Sequence, residues 1–110
     1  MHPNPHRPDV LAGKRILITG GGTGLGKELA KHFVAHGAAV YICGRREGVL
    51  QEAVKDIGAQ ARNGGTIAYQ ICDVRSAEAI EAMMDKIWAD GPLTGLINNV
   101  GLVKPAPLGS

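Results

Sequence analysis

A glycine-rich stretch of the chain has the composition of a turn that binds phosphate. Residues 19–26 read T-G-G-G-T-G-L-G and directly follow the apolar residues 16–18. Because glycine has no β-carbon, the chain can turn sharply here with a positive φ and bring backbone N–H groups close to a pyrophosphate. The helix predicted after the turn adds the positive end of its dipole at the same place. We interpret the stretch as a nucleotide-binding turn between a strand and a helix; the alternative is a tight turn without a ligand.

The spacing of the glycines distinguishes between phosphate-binding patterns. The dinucleotide pattern G-x-G-x-x-G fails in every frame, and the P-loop pattern fails at its last position, where Glu28 replaces the hydroxyl that binds Mg²⁺. The pattern T-G-x-x-x-G-x-G fits, with its fixed positions at Thr19, Gly20, Gly24 and Gly26. This turn resembles that of the short-chain dehydrogenase/reductase family, whose members bind NAD or NADP through it. The resemblance implies cofactor contacts from Gly20, Gly22, Thr23, Gly24, Leu25 and Gly26.

Two arginines after the second predicted strand indicate which dinucleotide is bound. Relatives that use NAD usually carry Asp or Glu here, where it binds the ribose 2′-hydroxyl. This chain has Gly44, Arg45 and Arg46 instead, and the first acidic residue is Glu47. Since a guanidinium can donate two charge-assisted hydrogen bonds to a 2′-phosphate, we expect NADP(H) in preference to NAD. Against this, many NADP-using relatives carry Lys or Arg at the position of Thr23, and both arginines can also be exposed residues before a helix.

Two further motifs follow the third and fourth predicted strands in the family's order. In the family, an Asp at the position of Asp73 accepts a hydrogen bond from the adenine amino group, and the next residue, here Val74, packs on the ring. Asp73 can equally cap the turn before the third helix, or serve each purpose with one oxygen. Asn98 and Asn99 open N-N-V-G, where the family has N-N-A-G. Their amides can tie neighbouring strand ends together and reach the adenosine ribose.

The tyrosine and lysine that perform the family's chemistry have no counterpart in this sequence. That chemistry is hydride transfer between the nicotinamide and a carbonyl or alcohol, with a Tyr as proton donor and a Lys four residues on that lowers its pKa. The two tyrosines, Tyr41 and Tyr69, have Arg45 and Asp73 at that position. The resemblance covers residues 14–105, the cofactor-binding half, and looks nearest to dienoyl-CoA and ketoacyl reductases.

We therefore expect no catalytic residue and no hydride transfer by this chain alone. The first interpretation is the amino-terminal half of an NADP-dependent oxidoreductase. The alternatives are a non-catalytic NADP-binding or sensor module and an inactive truncated fragment.

The elements that must position these residues alternate between strand and helix. Strands are predicted at residues 14–18, 38–43, 66–71 and 93–97, and helices at 24–36, at 47–62 and after a cap at Ser76. This alternation predicts an α/β fold with right-handed βαβ units and a parallel Rossmann-type sheet of order 3-2-1-4, incomplete relative to the family's fold. The first two helices should cover one face and the third the other, so that the second face and the edge of strand 4 stay partly open. We expect a disordered tail at 1–13, a partial Rossmann domain at 14–103 and an irregular end at 104–110.

Apolar residues at helical spacing predict the face that each helix buries. In the first helix they are Leu25, Leu29 and Phe33; in the second, Leu50, Ala53, Val54, Ile57 and Ala61; and in the third, Ile80, Met83, Met84, Ile87 and Trp88.

The composition argues against several other classes of function. The 110 residues form one domain at most, and a formal net charge of +2 favours neither nucleic acid nor membrane as a partner. No apolar stretch approaches the roughly 18 residues of a transmembrane helix, and the cytoplasm is the expected location. We expect Cys43 and Cys72 as buried thiols rather than a disulfide, and no metal at His32 and His36. The resemblance implies that full-length relatives form homo-oligomers.

Overall fold

The computed structural model describes residues 10–20, 22 and 24–98, in which strands and helices alternate. The elements are β1 (Arg15–Thr19), α1 (Gly24–Ala35), β2 (Ala39–Gly44), α2 (Glu47–Gly58), β3 (Thr66–Ile71), α3 (Ala77–Ala89) and β4 (Gly95–Asn98). The strands form one sheet in the order β3-β2-β1-β4, with every neighbouring pair parallel. The predicted Rossmann-type order is therefore confirmed.

The register of the strands brings their carboxyl ends to one edge of the sheet. Thr19 at the end of β1 pairs with Cys43 on β2 and with Asn98 on β4. Gly44, the last residue of β2, pairs with Ile71, the last residue of β3. The segments that carry the predicted site residues therefore leave the sheet at this one edge, and the strand order reverses beside β1.

Side chains alternate between the two faces of the sheet and form a core on each. The first core lies under α1 and α2 and contains Ile16, Ile18, Ala30, Val34, Ala38, Val40, Ile42, Leu50, Ala53 and Ile57. The second lies under α3 and contains Leu17, Cys43, Cys72, Met83 and Ile87. Leu96 of β4 is in register with Leu17, on the α3 face, and is 59% exposed. The second face is thus partly open at β4, as predicted.

α1 buries a different stripe of side chains from the predicted one. Leu25 is 66% exposed, and Leu29 and Phe33 are only partly buried. The buried residues of this helix are Gly26, Ala30 and Val34. The small side chains at 26 and 30 allow the helix to lie close to the sheet, because the distance between packed elements depends on the side chains at their contact. Trp88 of α3, also predicted in the core, is 51% exposed.

α2 ends at Gly58 rather than at the predicted residue 62. Contacts with α1 decide this end: the N–H of Arg62 donates to the Val34 carbonyl at 3.0 Å, and Asn63 Nδ2 donates to the Ala35 carbonyl at 3.1 Å. Asn63 also has a positive φ of 56°, which turns the chain toward β3. The residues after Gly58 are therefore bound by the end of α1 instead of continuing the helix.

Residues just before the predicted boundary at residue 14 contact the rest of the fold. Residues 10–13 form a turn, in which Leu11 packs against the first core and its N–H donates to the His36 carbonyl at 2.9 Å. Residues 10–13, predicted to belong to the tail, are therefore held by the fold.

Arg15 connects β1 to the end of α3 at the edge of the sheet opposite the predicted site. Its guanidinium donates to the carbonyls of Ile87 at 3.2 Å, of Pro92 at 3.3 Å and of Gly91, and to the hydroxyl of Tyr41. Because Ile87 lies in the last turn of α3, the cation also stabilises the negative end of that helix dipole. Arg15 and Tyr41 thus have a structural role away from the site.

Candidate functional site

The glycine turn after β1 adopts backbone conformations that favour glycine. Gly20 has a φ of 69° and Gly24 a φ of 57°, both in the left-handed region. The N–H of Gly20 donates to the Cys43 carbonyl at 3.1 Å and fixes the turn to β2. Gly24 begins α1, whose first turn carries no acidic residue. The positive end of the α1 dipole therefore lies at the turn without a carboxylate from that first turn to neutralise it.

A cavity of about 260 Å³ lies between this turn, the end of β2 and the start of α2. The described residues that line it are Gly20, Gly22, Cys43, Gly44, Arg45, Arg46, Val49 and Leu50. Both arginines are exposed, and no described lining residue is acidic. The cavity therefore combines two glycines of the turn with two cations, an arrangement that suits a phosphorylated ligand.

Gly22 allows the turn to pass close to the side chains of α2. A β-carbon at Gly22 would lie 3.1 Å from Val49 Cγ1, and one at Gly44 would lie 3.6 Å from Leu50 Cδ2. The glycine side of the cavity is thus shaped by the first turn of α2. Val49 and Leu50 are cavity residues that the sequence analysis missed, because an apolar residue in a helix predicts burial and not ligand contact.

Asp73 caps its turn and is held there by Arg75. The Arg75 backbone N–H and Nε both donate to Asp73 Oδ1 at 3.0 Å, and Arg75 Nη2 donates to Oδ2 at 3.0 Å. The side-chain hydrogen bonds from Arg75 lower the pKa of Asp73 to about 2, helped by the backbone bond and, more weakly, by the charge of Arg45. Arg75 therefore contacts both carboxylate oxygens, and the division of roles between turn and adenine stays a prediction. Oδ1 thus accepts two hydrogen bonds, whereas Oδ2 accepts one and has a second lone pair for a ligand.

Asn98 joins the ends of β1 and β4, as we predicted from the hydrogen-bonding capacity of its side-chain amide. Thr19 Oγ1 lies 2.9 Å from Asn98 Oδ1 and donates to it, and it is 3.4 Å from the Ile97 carbonyl. A second cavity of about 330 Å³ opens beside this pair on the α3 face. The described residues that line it are Leu17, Thr19, Val74, Ile80, Met83, Met84, Leu96 and Asn98.

The predicted site residues are therefore divided between two cavities at one edge of the sheet. Arg45 and Arg46 line the first cavity, on the α2 face, and Val74 and Asn98 line the second, on the α3 face. Leu25 lies at the start of α1 and is exposed, whereas Gly26 is buried against the sheet. Thr23 and Asn99 fall outside the described residues.

The two cysteines are buried free thiols at this edge. Burial raises the pKa of Cys43 to about 11, with a further contribution from Cys72, and burial followed by the charge of Asp73 raises the pKa of Cys72. Both thiols are therefore protonated near neutral pH and unreactive. Among residues 10–20, 22 and 24–98, no three His, Cys, Asp or Glu side chains lie together as a metal site would require. Over the same residues, no helix has the length and apolar character of a membrane span.

Comparison with known proteins identifies the family. A family model described as short chain dehydrogenase matches residues 14–110. The chain belongs to the short-chain dehydrogenase family. This agrees with the glycine turn, the sheet order and the sequence Asn98-Asn99.

Relatives in the short-chain dehydrogenase family are longer than this chain. Short-chain dehydrogenase/reductase VdtF of Byssochlamys spectabilis is 44% identical over 96 residues, which are 86% of this chain and 30% of the relative. A peroxisomal 2,4-dienoyl-CoA reductase of Arabidopsis thaliana is 48% identical over 61 residues, 53% of this chain and 20% of that protein. The chain thus spans about a third or less of these curated relatives.

Solved structures of short-chain dehydrogenases share the fold. A short-chain type dehydrogenase/reductase from Mycobacterium ulcerans superposes with a TM-score of 0.80 at 35% identity, over 86% of this chain and 34% of that one. An actinorhodin polyketide ketoreductase, solved with NADPH, superposes with a TM-score of 0.73 at 31% identity, over 80% of this chain and 33% of that one. The likeness extends over most of the described residues.

Proposed function

We propose that this chain is the nucleotide-binding part of an oxidoreductase of the short-chain dehydrogenase family and that it prefers NADP(H) to NAD(H). The observation that carries the preference is the position of Arg45 and Arg46 on the cavity that begins at the glycine turn. A dinucleotide with a 2′-phosphate brings extra negative charge to this cavity, where the two guanidinium groups can bind it.

The residues of the turn fit the pyrophosphate of such a cofactor. Gly20 and Gly24 have the positive φ that a sharp turn requires, and Gly22 leaves space where a β-carbon would crowd Val49. The start of α1 adds the positive end of its dipole. These groups would bind the diphosphate, and Leu25 is exposed beside them for a contact with the nicotinamide side.

The adenosine end would be bound at the ends of β3 and β4. Asp73 is ionised at neutral pH and has a lone pair left on Oδ2 for the adenine amino group, and Val74 offers an apolar surface for the ring. Asn98, fixed by Thr19, and Asn99 would reach the ribose. The actinorhodin ketoreductase, solved with NADPH, supports this cofactor class for the fold.

The nicotinamide, when bound, would supply or accept a hydride. This chain would bind and orient the cofactor that carries it. Neither tyrosine is placed as the proton donor: Tyr41 contacts Arg15 at the edge of the sheet opposite the site, and Tyr69 donates its hydroxyl hydrogen to Glu47. Neither has a lysine four residues on. We therefore propose that the chain by itself binds the cofactor without catalysing hydride transfer.

Calorimetric titration of the full 110-residue chain with NADPH and with NADH tests this proposal. We expect NADPH to bind more tightly than NADH, and a ligand concentration of 100 Kd to stabilise the folded chain by about 2.7 kcal/mol. Equal affinities would remove the preference for the phosphorylated cofactor. No binding of either dinucleotide to chain shown to be folded by circular dichroism would remove the nucleotide-binding function itself.

A further inference from the structure

The acidic residue closest in sequence to the two arginines is held by a tyrosine of the edge strand. Glu47 directly follows Arg46 and begins α2. Its Oε2 accepts a hydrogen bond of 2.8 Å from the hydroxyl of Tyr69, on β3. Glu47 itself is exposed, so this bond is not forced by burial. The tyrosine therefore selects one direction for a carboxylate that could otherwise sample many.

Tyr69 is a suitable anchor for this bond because its own position is fixed. It pairs with Ile42 in the sheet and packs, partly buried, against the first core. Gln51 lies one turn further along α2, and its Nε2 donates a hydrogen bond of 3.5 Å to the Tyr69 hydroxyl oxygen. Because the hydroxyl oxygen accepts from this amide, its hydrogen points away from Gln51 and donates to Glu47.

The direction of Glu47 matters for the charge of the neighbouring cavity. Arg45 and Arg46 line that cavity, and Glu47 is not among its described lining residues. A carboxylate released from Tyr69 could pair with either arginine or face a bound 2′-phosphate, and each outcome would weaken binding of that phosphate. It could also accept a hydrogen bond from a 2′-hydroxyl, as acidic residues do in enzymes that use NAD.

We propose that Tyr69 is a specificity-determining positioning residue, which holds the Glu47 carboxylate away from the arginine-lined cavity and so keeps that cavity selective for a 2′-phosphate. This inference rests on the proposed function of the cavity. It assigns Tyr69 no contact with the cofactor; the residue acts through Glu47. A purely structural bond between β3 and α2 would stabilise the fold without any effect on the choice of cofactor.

The test compares the affinities of NADPH and NADH for Tyr69→Phe and for wild-type chain. We expect Tyr69→Phe to bind NADPH about fivefold more weakly, from the field of one released charge near the phosphate, with NADH unchanged or tighter. Adding Glu47→Gln to Tyr69→Phe should restore most of the NADPH affinity, because the released side chain is then neutral. Tyr41→Phe is the matched control, since it removes a tyrosine hydroxyl bonded to Arg15 at the opposite edge of the sheet. This control should leave the NADPH to NADH ratio unchanged.

A second variant tests the same inference without altering the core. Glu47→Asp shortens the exposed side chain by one methylene, so that it no longer reaches Tyr69, and it should lower the NADPH to NADH affinity ratio in the same direction. If neither Tyr69→Phe nor Glu47→Asp changes that ratio while wild type prefers NADPH, the positioning role is wrong and the proposed function stands. If wild type itself shows no preference for NADPH, the proposed function fails first.

Discussion

Thr19 and Asn98 join β1 to the outer strand β4 at the strand ends where the cofactor is proposed to bind. The hydroxyl of Thr19, itself only 8% exposed, donates to Asn98 Oδ1 at 2.9 Å. The bond fixes the end of β4 beside the turn that follows β1. The strand ends on both sides of the topological reversal are thereby held in one position.

Thr19→Val should therefore destabilise the chain while keeping the shape of the side chain. The variant removes the donor to Asn98, and we expect a loss of about 1 kcal/mol in the free energy of unfolding, measured by urea denaturation. Thr66→Val, at an exposed position of the edge strand β3, is the matched control and should change stability by less than about 0.5 kcal/mol. Equal stability of the two variants would contradict a structural role for the Thr19 bond.

Arg45→Asp should shift the cofactor preference from NADP(H) toward NAD(H). The substitution reverses a charge on the cavity and offers a carboxylate to a ribose 2′-hydroxyl. We expect NADPH to bind about 10- to 100-fold more weakly, equivalent to roughly 1.4 to 2.8 kcal/mol, and NADH to bind no more weakly than before. Arg62→Asp, at an exposed position after α2, is the control for net charge. Unchanged relative affinities in a calorimetric titration would remove Arg45 from the site.

The ionised state of Asp73 should stabilise the fold in a defined range of pH. Its pKa is about 2 in the folded chain, because Arg75 donates to both oxygens, and about 3.9 in an unfolded chain. A group with a lowered folded pKa contributes stability above its unfolded pKa and loses it as the pH falls through the folded value. The stability difference between wild type and Asp73→Asn should therefore be constant above about pH 5 and disappear toward pH 2.

The role of Arg75 in this effect can be measured directly. In Arg75→Gln, the pKa of Asp73, followed by NMR titration of its carboxyl carbon, should rise toward its ordinary value of about 3.9. A pKa that stays near 2 would assign the effect to the backbone bond and to Arg45 instead.

The order of the strands could be predicted from the sequence because it depends on local patterns and on one general rule. Alternating strands and helices force parallel crossovers of one hand, and the glycine turn marks where the first crossover begins. Arg45 and Arg46 could be placed near the turn because both follow the end of a strand beside β1. These inferences need no knowledge of which side chains meet.

Features that depend on contacts between elements could not be predicted in the same way. The end of α2 is decided by the carbonyls of Val34 and Ala35 on α1, which no periodicity within α2 reveals. The occupation of both Asp73 oxygens depends on the conformation of Arg75, and the direction of Glu47 depends on a tyrosine 22 residues away. Such side-chain contacts require the three-dimensional structure.

Gly65 is the residue whose identity depends most strongly on a contact between two elements. A β-carbon there would lie 2.0 Å from the Val34 carbonyl oxygen and 2.8 Å from its carbon, and both are backbone atoms that cannot move aside. Its φ is not in the left-handed region, so its backbone conformation does not exclude a side chain. The close approach to α1 is what excludes one. Gly65→Ala should lower the free energy of unfolding by about 3 kcal/mol or prevent folding, since either α1 or the turn before β3 must shift.

Gly48→Ala provides the matched comparison within the same chain. Gly48 lies in the first turn of α2, and a β-carbon there would meet no atom within 4 Å. Because alanine favours helix over glycine, this variant should gain about 0.5 to 1 kcal/mol. Urea denaturation of the two variants and of wild type measures both effects. If Gly65→Ala were as stable as wild type, the contact of the turn before β3 with the end of α1 would be wrong, and with it the explanation of where α2 ends.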